Sequence, residues 1–287
     1  MIQDDRNVLE SDAKSLIAAL EWQVEMGADD AVFDQPFDRY AHQAAKAAAR
    51  SAPPVEASRP AAAPLQPAPA PRAAPTANAP LGTAEAVSEG NSLASQCTTL
   101  EELRAALEAF DGCQLKFDAK NLVFGDGNPD ADIMVIGEAP GRDEDIQGLP
   151  FVGVSGQLLD RMLSHIGLTR DSFYITNTVY WRPAGNRTPN DGEFAVCRPF
   201  VEKHIELVNP KLLLLVGGRA VTSLAGVTQG ITKSRGKWYD ISVGDRAFPA
   251  MATFHPAYLL RNGPAKRFAW RDLLALKRRM REEGITP

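Results

Sequence analysis

The chain has 287 residues, 44% of them hydrophobic and 23% charged, with a formal net charge of −5. This suits a soluble globular protein of one large or two modest domains, and no apolar run reaches the ~18–20 residues of a membrane span. Three widely separated cysteines exclude a disulfide scaffold, and the start Met1-Ile2-Gln3-Asp4-Asp5-Arg6 lacks the basic start and apolar core of a secretory signal, so a cytoplasmic location is expected.

In chain order, residues 8–27 place Leu9, Leu16, Ile17, Leu20, Trp22, Val24 and Met26 among polar residues, a pattern that predicts one amphipathic helix stopped by Gly27. Its apolar stripe needs a surface, either on its own folded domain or on a protein partner. Residues 51–80 contain 11 Ala and 9 Pro, which offer too little to bury. Three segments are therefore expected: 1–40 with the helix, 41–90 as a disordered Ala/Pro-rich linker, and 91–287 as the folded domain. Charge divides at the same boundary. Residues 1–90 carry 13 acidic and 7 basic residues, and the remainder 23 acidic and 24 basic, so the body is close to neutral.

Beyond the linker, helices and strands alternate. Thr98-Thr99-Leu100-Glu101-Glu102 predicts a capped helix running to about Phe110. Asp132–Gly137 reads as a buried strand, 155–166 as a helix, and Phe173–Val179 as a second strand. A helix follows over about 191–208, then the most apolar strand, Lys211–Val216, with Gly217-Gly218 opening another helix. A fourth strand covers about 250–254, and a basic helix about 264–283. Within that helix Lys277, Arg278, Arg279 and Arg281 read as a solvated face. Alternation of this kind predicts a three-layer α/β/α sandwich around a mostly parallel four-stranded sheet, with ligands bound beyond the carboxyl ends of its strands.

Unusual residues gather at those ends. After the first strand, Gly137 to Gly153 forms a long loop without a dinucleotide fingerprint. Its four carboxylates can bind a metal, orient a water or face solvent. Asn177 ends the second strand, where its amide can read a base edge or cap a turn. His255 follows the fourth strand, and the absence of a P-loop disfavours a nucleotide-using enzyme.

Together, Gly137-Glu138-Ala139-Pro140-Gly141, Pro150-Phe151-Val152-Gly153, Ile175-Thr176-Asn177, Ile231 to Trp238 and His255-Pro256-Ala257-Tyr258-Leu259-Leu260 resemble the motifs of the family-four uracil-DNA glycosylases. The resemblance spans about Thr99 to Met280. It implies a monofunctional glycosylase that flips uracil out of single- or double-stranded DNA, hydrolyses its N-glycosidic bond and leaves an abasic site. A weak or inactive uracil- or abasic-DNA binding module is the alternative. The resemblance further implies that Phe151 stacks on the flipped base and Asn177 reads its edge, while His255 donates to the developing charge on O2. It implies that Glu138, the carboxylate of the first motif, positions the water, although the better-known glycosylase families place an Asp or Asn one position later, where this chain has Ala139. Glu144 lines the C5 side of the pocket. It implies that Lys233, Arg235, Lys237, Arg182, Arg187 and Arg261 grip phosphates, and that Leu259 either wedges into the gap left by the base or packs in the core. The enzyme is expected to act as a monomer, away from membranes.

The family also holds a [4Fe–4S] cluster through four cysteines. The matching positions here are Phe110, Cys113, Trp181 and Cys197, two thiols and two aromatic rings. An aromatic ring cannot ligate iron, so no cluster and no other cofactor is expected, with Cys97 left as a spare thiol.

Overall fold

The computed structural model describes residues 83–285; the predicted helix at 8–27 and the Ala/Pro-rich segment of 51–80 lie outside them. The first described element is a helix, α1 (Thr83–Gln96), whose buried residues are Ala86, Gly90 and Ala94. These small side chains recur every four residues and let α1 lie close against the long helix α6 (Asp191–Val208). A β-carbon on Gly90 would sit 3.2 Å from the Phe200 ring. The linker boundary expected at residue 90 therefore falls inside α1. An Ala/Gly stripe has no large apolar residues to announce it, so it resembles the Ala-rich linker in composition while packing as part of the domain.

The next helix, α2 (Leu100–Ala109), starts where its cap predicts. The Thr99 hydroxyl accepts from the Glu102 N–H at 3.1 Å, and the Glu102 carboxylate accepts from the Thr98 N–H at 2.6 Å. A single turn, α3 (Leu115–Asp118), and a two-residue strand, β1 (Asp126–Gly127), lead to β2 (Ile133–Gly137). Then come α4 (Arg142–Gln147), α5 (Val154–Ser164), β3 (Tyr174–Asn177), α6 and β4 (Leu212–Val216). The chain continues through α7 (Gly218–Ala225), α8 (Ile231–Ser234), β5 (Trp238–Val243), β6 (Arg246–Thr253), α9 (Pro256–Arg261) and α10 (Lys266–Glu282).

Among the described residues the sheet has six strands in the order β1-β3-β2-β4-β6-β5. The inner four are parallel and are the four expected; β1 and β5 join as antiparallel edges. Successive residues of each inner strand face opposite layers. Ile136, Leu213, Leu215 and Ala252 enter the core under α2, α6 and α7, whereas Ile133, Val135, Leu212 and Leu214 enter the core under α5 and α10. Both faces are covered, which is why these strands read as unbroken apolar runs.

Register fixes the functional rim. Gly137 pairs with Asn177, and Val216 pairs with Thr253. The carboxyl ends of β2, β3 and β6 thus deliver Glu138, Asn177 and His255 to one edge of the sheet. No helix among the described residues is long and apolar enough to cross a membrane.

Candidate active site

A cavity of about 420 Å³ opens at that edge, lined by Glu138, Phe151, Asn177, His255 and Arg261 among others. Close backbone approach shapes its floor. Gly137 leaves room for two partners: a β-carbon there would lie 2.4 Å from Asn177 Oδ1 and 2.4 Å from the Phe151 ring. Asn177 is almost fully buried, which favours a defined pose for its amide. Phe151 has φ of +56°, a left-handed conformation that costs a non-glycine residue about 1–3 kcal/mol and persists only where surrounding contacts enforce it. Its ring centroid lies 5.9 Å from that of His255.

His255 caps α9. Its Nδ1 accepts from the Ala257 N–H at 3.2 Å, which leaves the proton of the neutral ring on Nε2. Burial, helped by the nearby Arg261 charge, pushes its pKa down to about 4. At neutral pH the side chain is therefore an uncharged donor. Glu138 behaves in the opposite sense: burial raises its carboxyl above the usual range, while the Arg219 charge and a hydrogen bond with Thr188 restrain that rise. An ionisable acid and a neutral imidazole donor thus flank one cavity.

Glu144 also borders the cavity, but both its oxygens are engaged. They accept from Gly141 N–H and Gly153 N–H, each at 3.0 Å, closing the ends of the loop on each other. This loop folds partly as α4, so its acids are dispersed: Asp143 faces solvent, whereas Asp145 is buried and accepts from the Lys120 N–H at 2.7 Å.

The basic residues separate into paired and unpaired. Arg187 forms a double ion pair with Glu193 at 2.9 and 2.6 Å, and Arg182 bonds Asn186 at 2.7 Å. Lys233, Lys237 and Arg261 are exposed, with no ion pair among the described residues. Arg235 departs from expectation. Its side chain is only 19% exposed, pairs with buried Asp272, donates to the Phe268 carbonyl at 2.8 Å and so faces the protein, not a phosphate. Leu259 departs as well. It is 0% exposed and packs with Leu158 and Phe254, whereas the adjacent Leu260 is 44% exposed. One residue on a helix is a 100° turn, and motif spacing alone does not fix that phase.

At the four cluster positions all side chains are buried. Phe110 packs on Phe200 with ring centroids 5.0 Å apart, and Trp181 packs against Tyr180 at 6.4 Å. The Cys113 and Cys197 sulfurs approach to 4.0 Å as free thiols. A hydrogen bond to Cys113 and full burial hold the Cys197 thiol well above its usual pKa, which keeps it protonated. Two thiols and two aromatic rings do not supply the four thiolates that such a cluster needs.

Sequence comparison adds to this geometry. A family model of the Uracil DNA glycosylase superfamily matches residues 124–274. A type-4 uracil-DNA glycosylase of Thermotoga maritima is 39% identical over 175 residues, covering 60% of this chain and 90% of the relative. One from Saccharolobus solfataricus is 38% identical over 179 residues, covering 61% and 83%. One from Archaeoglobus fulgidus is 34% identical over 166 residues, covering 56% and 83%.

Proposed function

This chain belongs to the type-4 uracil-DNA glycosylases of the uracil DNA glycosylase superfamily, and from that premise we propose how its own residues excise uracil from DNA. The observation that carries the proposal is the convergence of Phe151, Asn177, His255 and Glu138 on one cavity at the strand ends. Its reaction is hydrolysis of the N-glycosidic bond, a step of base excision repair that leaves an abasic site.

The base must first leave the helix, at a cost of a few kcal/mol. Phe151 offers a flat ring to the flipped base, and stacking of this kind is worth about 1–3 kcal/mol. The Asn177 amide accepts from N3–H and donates to O4; cytosine, which reverses both polarities, would leave buried amide groups unpaired. As the bond from the sugar to N1 lengthens, negative charge gathers on O2. His255 donates its Nε2–H there as a neutral group, stabilising charge that appears in the transition state. Glu138, ionised, positions the water that captures the sugar carbon. Glu144 supports the pocket by closing the loop that carries Glu138 and Phe151.

Lys233, Lys237 and Arg261 are the cations available to phosphates. Leu260 replaces Leu259 as the apolar wedge, because it is the exposed member of the pair. We propose that the enzyme works in the cytoplasm as a monomer without an iron–sulfur cluster. Release of free uracil from a uracil-containing oligonucleotide tests the activity, and full activity of His255→Ala would remove the role given to His255. Iron content and visible absorption of the purified protein test the cluster: stoichiometric iron would overturn its absence.

A further inference from the structure

Phe151 occupies a conformation that its own β-carbon disfavours, so something must hold it. Its ring is confined by the bare Gly137. Its backbone lies against the first turn of α5, where a β-carbon on Gly156 would fall 1.8 Å from the Phe151 carbonyl oxygen. These two contacts restrict where Phe151 can go without bonding it in place. The side chain that bonds it is Arg170, in the turn before β3. Arg170 Nη2 donates to the Phe151 carbonyl at 2.8 Å, and Nη1 donates to the Pro150 carbonyl at 3.3 Å.

The guanidinium is itself anchored from two further elements. Nε bonds Asp160 on α5 at 2.9 Å, and Nη1 bonds Asp126 on the edge strand β1 at 3.0 Å. Its flat face lies over Phe173, 5.7 Å from the ring centroid. All three nitrogens are used, in a fork that a lysine could not reproduce. Asp126 and Asp160 lie outside the cavity lining, and both pair with Arg170.

We propose that Arg170, braced by Asp126 and Asp160, is a positioning residue for base excision: it fixes the left-handed backbone at Phe151 and thereby aims the ring at the flipped uracil. The inference rests on the stacking role given to Phe151. It deepens that role by assigning the accuracy of the stack to a residue on the far side of the loop. Without the guanidinium, Phe151 can relax toward a right-handed or extended conformation, and its ring leaves the plane that uracil requires.

The test is a double-mutant cycle in the full chain, reading kcat/KM for uracil release and inhibition by free uracil. Arg170→Gln is expected to lower kcat/KM by about 10- to 100-fold, the scale of a displacement of about 1 Å, and to weaken inhibition by free uracil in parallel. In a Phe151→Ala background the same substitution is expected to cost nothing further, because the group it positions is gone. Arg170→Lys should rescue little. Equal losses in both backgrounds would overturn the proposal by making Arg170 a general structural residue, and so would wild-type activity of folded Arg170→Gln. If Arg170→Gln does not fold, Asp126→Asn enters the same cycle: a smaller loss that vanishes without Phe151 supports the proposal, and one that persists overturns it. Full activity of Phe151→Ala alone would remove the stacking role itself, a failure distinguishable from loss of the Arg170 link.

Discussion

The strand-end pocket and the former cluster region are two sites within one domain, and they respond differently to changes in residue type. In the pocket, the proposed mechanism rests on individual atoms: an Asn177 amide, a proton on His255 Nε2, a carboxylate on Glu138. At the positions matched to the family's cysteines, Phe110 and Trp181 are buried aromatic rings and the sulfurs of Cys113 and Cys197 lie 4.0 Å apart. A structural staple can be replaced by any packing that fills the volume, whereas a catalytic group cannot be replaced by volume. A pocket that catalyses and a packed region without a cluster, as proposed above, are therefore compatible in one chain.

That contrast can be broken or sharpened by experiment. The largest effect is expected from Trp181→Ala, which empties a buried indole site and should cost about 3–5 kcal/mol of unfolding free energy by chemical denaturation. Below its melting transition the variant should keep kcat; a large loss of kcat in folded protein would tie the plug to the chemistry. Next comes His255→Ala, expected to lower kcat by about 10²–10³, or ~2.7–4 kcal/mol, with a smaller loss of stability, about 0.5–2 kcal/mol, from the missing cap of α9. Leu260→Ala should reduce kcat/KM on double-stranded DNA by about tenfold, ~1.4 kcal/mol, and have less effect on single strands, where no stack needs filling. Leu259→Ala should destabilise the protein and leave the ratio between the two substrates unchanged.

The smallest effect concerns pH. The proposed mechanism needs Glu138 ionised and His255 neutral, and both conditions fail as pH falls. The Glu138 carboxyl lies above the usual range and His255 near 4, so Glu138 should set the acid limb of kcat. Arg219 holds the Glu138 pKa down, so Arg219→Gln should move that limb to higher pH. Stability should respond over a related window. Burial keeps His204 neutral, with a pKa of about 3, between the Tyr174 and Tyr180 hydroxyls, and His255 is depressed as well. Each takes up its proton more readily when unfolded, at about 6.5. Their stabilising contribution is complete above that value and is lost as pH falls toward 4 and 3, which melting curves at pH 7 and 4.5 would register.

What the sequence disclosed follows from the physics of each element. The inner strands were legible because strands buried on both faces are apolar throughout, and α2 because its cap is local. Helix α1 was hidden because close packing there uses Ala86, Gly90 and Ala94. Strand β5 was hidden because its alternation, Trp238 to Val243, begins at the end of a basic run. Asn177 and His255 share a rim because the parallel strands β3, β2, β4 and β6 end on the same side, and the loop before α5 brings Phe151 to it. The inward pairing of Arg235 is not legible in the sequence because its partner Asp272 lies 37 residues away. Arg170 carries no motif, and its importance exists only through carbonyls and carboxylates brought to it by three elements.

The small-residue stripe of α1 has a practical consequence for anyone shortening this chain. A cut at residue 90, where composition points to the end of the linker, would remove the half of α1 that holds Ala86 and Gly90. One side of the Phe200 ring and Pro199 would then face water, an apolar patch on α6 next to the aromatic plug. Such a fragment should self-associate and melt early although every pocket residue is present, whereas one beginning before Thr83 should remain dispersed in solution.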